Sequence, residues 1–210
     1  MAVEDFSTYT KLGDYTVATS KVSWTTSLTD TAEAYVGKDF GAAYWGDFSV
    51  TLDSKLTRNE NSEKGFWNLT SGATAGLADL CRADMDTNNE GLSFHAWCQW
   101  NGFENVDYHL QDFDGDSSDS ATDITNNTVY YCTFARVAAT SSTTVKIYSD
   151  SGRTTLVDTM TITYNADTYR YAGVANPNTG GQWNKSSGYV DNVTITVGGA
   201  AVDDSQVFII

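Results

Sequence analysis

Two neighbouring segments of the chain carry side chains whose types and spacing could bind a polar ligand. Residues 93–100 and 105–112 both alternate apolar and polar side chains with a period of two, which is typical of a β-strand with one buried face. The Asn101-Gly102 turn between them favours a hairpin. Alternation then assigns six side chains to one shared surface: His95, Trp97, Gln99, Asp107, His109 and Gln111.

This surface combines an indole with amide, carboxylate and imidazole groups. The indole of Trp97 can stack on a pyranose ring, while its polar neighbours hydrogen-bond to hydroxyls. We therefore predict a sugar-binding site here, extended by Tyr131 from the strand at 129–136. Trp183 lies in a glycine-rich loop and is a separate candidate for an exposed platform. The alternative is a solvated sheet face with polar cross-strand pairs.

The face assignment depends on strand register. The same alternation places Phe94, Ala96 and Cys98 on the buried side. A slip of one residue would invert the assignment, burying His95 and exposing Cys98.

Two acidic segments offer oxygen ligands that would suit Ca²⁺. The candidate ligands are Asp84, Asp86, Asn88, Glu90, Asp112, Asp114 and Asp116. Counted from Asp86, Gly91 stands at position six of an EF-hand loop, but position twelve is Trp97, where a bidentate Glu is required. The segments are therefore not EF-hands, and the alternative is that both are solvated loops.

Period-two alternation recurs along the chain and predicts the elements that position these groups. In residues 47–56, Phe48, Val50 and Leu52 fall on one side with polar residues between them. Similar runs occupy 93–100, 105–112, 129–136, 143–149, 156–164 and 189–197. Strands at this spacing, separated by Gly, Asn and Asp turns, predict an all-β sandwich or barrel.

A helix is expected in one place only, residues 73–85. The single proline and the lack of any low-complexity linker indicate one domain, residues 1–198, followed by a tail at 199–210. The apolar end of that tail, 207–210, is expected to dock on its own domain or on a partner.

Five segments carry a resemblance to a known family. They are Val3-Glu4-Asp5-Phe6, Ala34-Tyr35-Val36-Gly37-Lys38-Asp39-Phe40, Gly46-Asp47-Phe48-Ser49-Val50, Val145-Lys146-Ile147-Tyr148-Ser149-Asp150 and Ser187-Gly188-Tyr189-Val190-Asp191-Asn192-Val193-Thr194-Ile195. This sequence resembles the concanavalin A-like lectin/glucanase domains of the laminin-G type, including versions found in environmental and phage-derived sequences. The resemblance implies an antiparallel, two-sheet jelly-roll sandwich.

The same resemblance implies a sugar or protein ligand on the concave sheet face or its rim, and often a calcium ion at the rim. The superfamily also contains hydrolases, lyases and structural proteins, so the fold does not name a function.

The three cysteines form neither a zinc site nor a disulfide framework, because they are odd in number and lack a Cys-x-x-Cys pair. Cys98 and Cys132 fall on predicted buried faces, where they are expected to act as small hydrophobic residues. A bridge between them requires that their strands be neighbours.

The formal net charge is −15 and the sequence pI is near 4.2. Such a surface repels nucleic acid and anionic membranes, both of which need Lys and Arg at the contact. No apolar run is long enough to span a membrane, and no signal peptide is visible. An extracellular or virion-surface location is expected.

Most enzyme classes find no support in the sequence. A retaining glucanase of this fold needs a Glu-x-Asp-x-(x)-Glu strand, and none of the six Glu residues fits that pattern. Serine-hydrolase, phosphate-loop and dinucleotide motifs do not occur. A polysaccharide lyase is harder to dismiss, because His95, Gln99, His109 and Tyr131 could act as its acid, base and neutralising groups.

Three hypotheses follow. The first is a non-catalytic glycan-binding or adhesive module that contacts glycans or glycoproteins. The second is a structural or decoration protein that docks on a viral or cell-surface scaffold and could form oligomers. The third is a polysaccharide lyase.

Overall fold

The structure, a computed structural model, describes residues 2–25, 33–42, 44–88, 90–98, 105–115, 117–163, 168–176 and 184–198. Its strands are β1 (Thr10–Leu12), β2 (Thr16–Val17), β3 (Lys21–Trp24), β4 (Tyr35–Asp39), β5 (Phe48–Thr70), β6 (Leu92–Cys98), β7 (Asn105–Asp112), β8 (Ser117–Thr125), β9 (Val129–Val137), β10 (Ser142–Tyr148), β11 (Leu156–Thr163), β12 (Tyr171–Ala175) and β13 (Asn184–Val197). Helix α1 covers Arg82–Asn88, and short 3₁₀ helices cover Phe6–Thr8, Gly76–Leu80 and Ala138–Thr140.

The long strand β5 belongs to two antiparallel sheets. Residues 48–57 of β5 pair with β9 and β13, whereas residues 62–70 pair mainly with β6 and β12. The front sheet therefore has the order β8-β7-β6-β5-β12-β4-β1, and the back sheet has the order β11-β10-β9-β5-β13-β3-β2. The predicted all-β, two-sheet architecture is confirmed.

An aromatic core lies between the two sheets. Phe94 of the front sheet meets Phe134 of the back sheet with ring centroids 6.3 Å apart, and Tyr108 meets Tyr130 at 6.0 Å. Fully burying a side chain such as Phe contributes about 1.5–3 kcal/mol. Phe94 and Ala96 of β6 are buried between the sheets, so the predicted buried face of that strand is confirmed for these two side chains.

A covering segment, residues 76–88, packs on the outer face of the front sheet. It consists of the 3₁₀ helix Gly76–Leu80 and helix α1, and thus confirms the expected helical site near 73–85. The 3₁₀ helix Gly76–Leu80 contacts β4, β12 and β5 of this sheet. Close packing requires Gly37, because a Cβ there would lie 2.5 Å from Cδ1 of Leu80.

The bridge between Cys98 and Cys132 that the sequence left open is not formed. Cys132 is a free, buried thiol on β9, a strand of the back sheet, whereas Cys98 ends β6 in the front sheet. The two strands are not neighbours, so the condition for a bridge fails. Cys132 acts instead as a small buried side chain, with its Sγ 3.6 Å from Oγ of Ser54.

Within the described ranges, the helices are too short or too polar to cross a membrane.

Candidate functional site

Strands β6 and β7 form the predicted hairpin and set the outer face of the front sheet. His95 stands opposite His109, Trp97 opposite Asp107, and Ser93 opposite Gln111. Their neighbours along each strand are buried between the sheets, so these six side chains lie on the outer face. The predicted shared surface is therefore present for the described residues, while Gln99 lies outside them.

A cavity of about 360 Å³ opens on this face, beside the part of the sheet that contacts the covering segment. Its volume is at the lower end of the range of about 300–1,000 Å³ found for small-molecule sites. The lining residues are His95, Trp97, His109, Gln111, Ser118, Asp119 and Ser120.

Three rings form a continuous aromatic surface in the cavity. The imidazoles of His95 and His109 are nearly parallel, with centroids 5.3 Å apart and an interplanar angle of 12°. The indole of Trp97 meets His109 at 5.1 Å and 52°. His95 is the innermost of the three, since it is only 2% exposed, whereas Trp97 and His109 are half-buried. His95 therefore supports the surface and does not present itself to solvent.

A chain of polar groups holds the inner imidazole. Oγ of Ser93 lies 3.0 Å from Nδ1 of His95 and donates to Oδ1 of Asn68 at 2.7 Å. Nδ2 of Asn68 in turn donates to the carbonyl of Leu80 in the covering segment at 2.7 Å. On the other side of the ring, Nε2 of His95 faces Oε1 of Glu63 at 3.8 Å, and both side chains are buried.

Strand β8, which the sequence pattern did not predict, supplies one wall of the cavity. Oδ2 of Asp119 accepts a hydrogen bond from the backbone N–H of Thr161 at 2.8 Å, and Oδ1 accepts one from the N–H of Ser120 at 2.8 Å. The first bond ties the edge of the front sheet to β11 of the back sheet. The only sequence signal for β8 was the pair Ala121 and Ile124, which face the core.

Glu63 and Asn68 were also missed. Both lie in residues 63–70, where every side chain is buried, so no alternation marks an outer face. A register shift between Gly65 and Trp67 also turns Phe66 and Trp67 inward together.

The prediction that Tyr131 extends this surface is wrong. Tyr131 lies on β9 in the back sheet, where its neighbours Tyr130 and Cys132 are buried in the core. Alternation therefore directs Tyr131 to the outer face of the opposite sheet. Trp183 lies outside the described residues.

The first acidic segment is largely helical, where the sequence suggested a loop. Asp84, Asp86 and Asn88 lie on α1, and Nδ2 of Asn88 donates to Oδ1 of Asp79 at 3.2 Å. The carboxylate of Glu90 accepts hydrogen bonds from the hydroxyls of Thr70 and Ser71 at 2.9 and 2.6 Å. These four side chains do not form one set of ligands.

The two acidic segments meet at the rim of the front sheet. Glu90 and Asp114 line a small cavity of about 180 Å³ together with Ser71, Thr168 and Tyr169. Asp112 is buried and accepts a hydrogen bond from the N–H of Asp114 at 3.3 Å. In the described part of the chain no three His, Cys, Asp or Glu side chains gather closely enough to hold a metal ion, and Asp116 lies outside that part.

Comparisons with known proteins show the fold. No protein-family model matches the sequence, and no curated protein matches it. A legume lectin-like domain from Entamoeba histolytica is similar in structure, with a TM-score of 0.57, 13% identity, and coverage of 91% of this chain and 90% of that chain. Lectin II from Ulex europaeus has a TM-score of 0.57 and 13% identity, covering 90% of this chain and 92% of the lectin.

A third similar structure is lectin UEA-II complexed with galactose, with a TM-score of 0.55, 14% identity, and coverage of 90% of this chain and 92% of that chain. A structural similarity at such low sequence identity shows only that the fold is shared. The sandwich is concanavalin A-like, as the resemblance in the sequence implied.

Proposed function

We propose that this chain is a glycan-binding module and that the cavity on strands β6, β7 and β8 is its binding site. The observation that carries the proposal is the aromatic surface of Trp97 and His109, set in a cavity whose other walls are polar. A pyranose has the matching character, since its ring face is apolar and its edge carries hydroxyls. One similar fold, lectin UEA-II, was solved complexed with galactose.

Each lining group has a role in this proposal. Trp97 and His109 pack against the face of the sugar ring. The amide of Gln111 and the hydroxyls of Ser118 and Ser120 bind the sugar hydroxyls. The carboxylate of Asp119, held by two backbone N–H groups, accepts hydrogen bonds from hydroxyls without having to reorient.

The proposed ligand is a neutral glycan. None of the described lining residues is Lys or Arg, and the whole chain carries a net charge of −15. Uronates, sialic acids and sulfated sugars would meet repulsion here. A polysaccharide lyase acting on uronates would need a cation beside its histidines, so the same observation disfavours that alternative.

A screen against immobilised neutral and anionic glycans tests the proposal, with Trp97→Ala as the site variant. We expect neutral glycans to bind, and Trp97→Ala to weaken binding at least about tenfold, since one aromatic stacking contact is worth about 0.5–1.5 kcal/mol beyond its buried area. Tyr131→Ala is the matched control, because it removes an aromatic ring from the outer face of the other sheet. Circular dichroism checks that both variants fold.

The proposal fails if Trp97→Ala folds and binds as the unmodified protein does. Absence of binding to any glycan would favour the alternative of a structural or decoration protein that docks on a viral or cell-surface scaffold. An extracellular or virion-surface location goes with either function and is part of this proposal.

Calcium is tested in the same screen, run once with calcium and once with a chelator. The rim cavity brings together two carboxylates, Glu90 and Asp114, which are fewer oxygen ligands than a protein calcium site uses. We therefore expect binding at the Trp97 cavity to persist with chelator. Loss of binding with chelator would instead point to a rim ion completed by residues such as Asp116.

A further inference from the structure

The carboxylate of Asp119 joins the cavity wall on β8 to the opposite sheet. Within the described residues, β8 is an edge of the front sheet and pairs with β7 alone. Asp119 stands opposite Leu110, whose side chain is buried between the sheets. Alternation therefore places Asp119 on the side of β8 that faces the back sheet. There its Oδ2 accepts the N–H of Thr161 at 2.8 Å.

This hydrogen bond lies at an edge of the back sheet. In the described part of the chain β11 pairs with β10 alone, so the N–H groups on its outer side face no neighbouring strand. Two of them, on Thr159 and Thr161, bind carboxylates instead. Thr159 donates to Asp158 of its own strand at 2.7 Å, whereas Thr161 donates to Asp119 of the other sheet.

The two neighbours of Asp119 on β8 present hydroxyls to the cavity. Ser118 stands opposite Gln111 and Ser120 stands opposite His109, and all four side chains belong to lining residues. Oδ1 of Asp119 also accepts the N–H of Ser120 at 2.8 Å, which fixes the carboxylate relative to this backbone. The position of the carboxylate therefore determines where the two hydroxyls lie.

We propose that Thr161 is a positioning residue of the glycan site and acts through its backbone N–H on Asp119. The hydrogen bond holds the β8 wall, with the hydroxyls of Ser118 and Ser120, at a fixed distance from the aromatic surface. No described residue of β11 lines the cavity, so Thr161 acts without contacting the ligand. This inference rests on the proposed glycan-binding function.

A wall fixed in advance strengthens binding for a physical reason. Hydrogen bonds between hydroxyls and their acceptors need O···O distances of about 2.5–3.0 Å. A wall strand supported by β7 alone would have to be ordered when the glycan arrives, and that ordering costs free energy. The bond to β11 supplies this order before the glycan binds.

Replacing Thr161 by Pro removes the N–H and keeps an extended backbone, because proline is tolerated where the N–H of an edge strand points outward. We expect Thr161→Pro to weaken binding of the neutral glycan selected in the screen about tenfold, since one hydrogen bond to a charged group is lost. Titration calorimetry measures the affinity, and urea denaturation measures the stability.

Thr159→Pro is the matched control, because it removes the neighbouring outward N–H, which binds Asp158 instead of the cavity wall. We expect it to lower the stability as Thr161→Pro does and to leave the affinity unchanged. Equal affinities of the two proline variants would overturn the proposal.

Asp119→Ala, alone and combined with Thr161→Pro, tests whether Thr161 acts through Asp119. We expect Asp119→Ala to weaken binding at least as much as Thr161→Pro does. Adding the proline should then have no further effect, since both changes remove the same contact. Losses that multiply in the combined variant would show that the proline acts by distorting β11, which would contradict the positioning role.

Amide hydrogen exchange, measured by NMR without any glycan, tests the hydrogen bond itself and needs no proline variant. In Asp119→Ala we expect the Thr161 amide to exchange about tenfold faster than in the unmodified protein. The Thr159 amide should be unchanged, because its acceptor is Asp158. An unchanged Thr161 amide would reject the positioning bond. Faster exchange in a protein that binds no glycan would reject the proposed function while the bond between the sheets stands.

Discussion

The carboxylate of Asp79 holds the covering segment in place. Its Oδ2 accepts hydrogen bonds from the backbone N–H groups of Thr74, Ala75 and Gly76 at 3.1, 2.8 and 3.1 Å, and Oδ1 accepts one from Asn88. Asp79 is 1% exposed. One side chain therefore satisfies donors on both sides of the 3₁₀ helix Gly76–Leu80.

Replacing Asp79 by Ala should destabilise the protein by about 3 kcal/mol, because the variant loses four hydrogen bonds to a buried carboxylate and hydrogen bonds to charged groups contribute about 1.5–3 kcal/mol each. Urea denaturation measures the change in the free energy of unfolding. Asp86→Ala is the control: Asp86 lies exposed on α1, so its loss should change stability by less than about 0.5 kcal/mol. Equal stability of the two variants would contradict this role for Asp79.

The buried thiols of Cys81 and Cys132 should be inert in the folded protein. Burial raises the pKa of both thiols to about 12 from an ordinary value of 9.0. In a Cys98→Ser background we expect no labelling by a thiol reagent at pH 8 until urea unfolds the chain, because the reactive species is the thiolate. Fast labelling without urea would contradict the burial of these residues.

The raised pKa values of these two thiols make the free energy of unfolding depend on pH. The unfolded chain ionises its thiols above a pH of about 9, whereas the folded chain keeps them neutral up to about 12. The contribution of these thiols to the free energy of unfolding is therefore complete below pH 9 and is lost as the pH rises toward 12.

At the scale of elements, a glycine in β5 leaves room for the polar group that supports the inner imidazole, His95. Gly65 stands opposite His95. A Cβ at Gly65 would lie 2.5 to 2.8 Å from the side-chain atoms of Asn68. The glycine thus leaves room for the amide that links Ser93 to the covering segment.

Gly65→Ala should therefore displace Asn68, lower the free energy of unfolding by about 1–3 kcal/mol, and weaken glycan binding. Urea denaturation and glycan titration measure the two effects. Gly46→Ala is the matched control, since a Cβ there meets nothing within 4 Å. A Gly65→Ala protein as stable as the control would show that Asn68 can move without cost.

The elements that could be predicted are those with one buried face. The β6–β7 hairpin and the first half of β5 alternate apolar and polar residues, because their inner sides pack in the core while their outer sides face solvent or polar partners. Residues 63–70 of β5 are buried on both sides, and β8 carries mostly polar residues, so neither gives the period-two signal. The part of the candidate site on β6 and β7 could therefore be predicted from the sequence. The supporting residues Glu63 and Asn68 and the cavity wall on β8 could not.

At the scale of the whole molecule, the covering segment divides the outer face of the front sheet. The side on β4 and β12 packs against Leu77 and Leu80, while the side on β6, β7 and β8 carries the cavity. The depth of His95 could not be predicted, because it depends on a stack with His109 and on a segment that precedes it in the chain. Alternation indicates the face on which a residue lies, not how far it is from solvent.

The membership of β5 in both sheets also affects the order in which the chain can assemble during synthesis. Phe48 pairs with Arg136 on one side and with Val197 on the other. On a ribosome, β5 emerges early, but its last partner emerges only when nearly all of the described chain has been made. Contacts so distant in sequence slow folding and leave strand edges open meanwhile. The nascent chain must therefore keep β5 from pairing wrongly until β13 has been made.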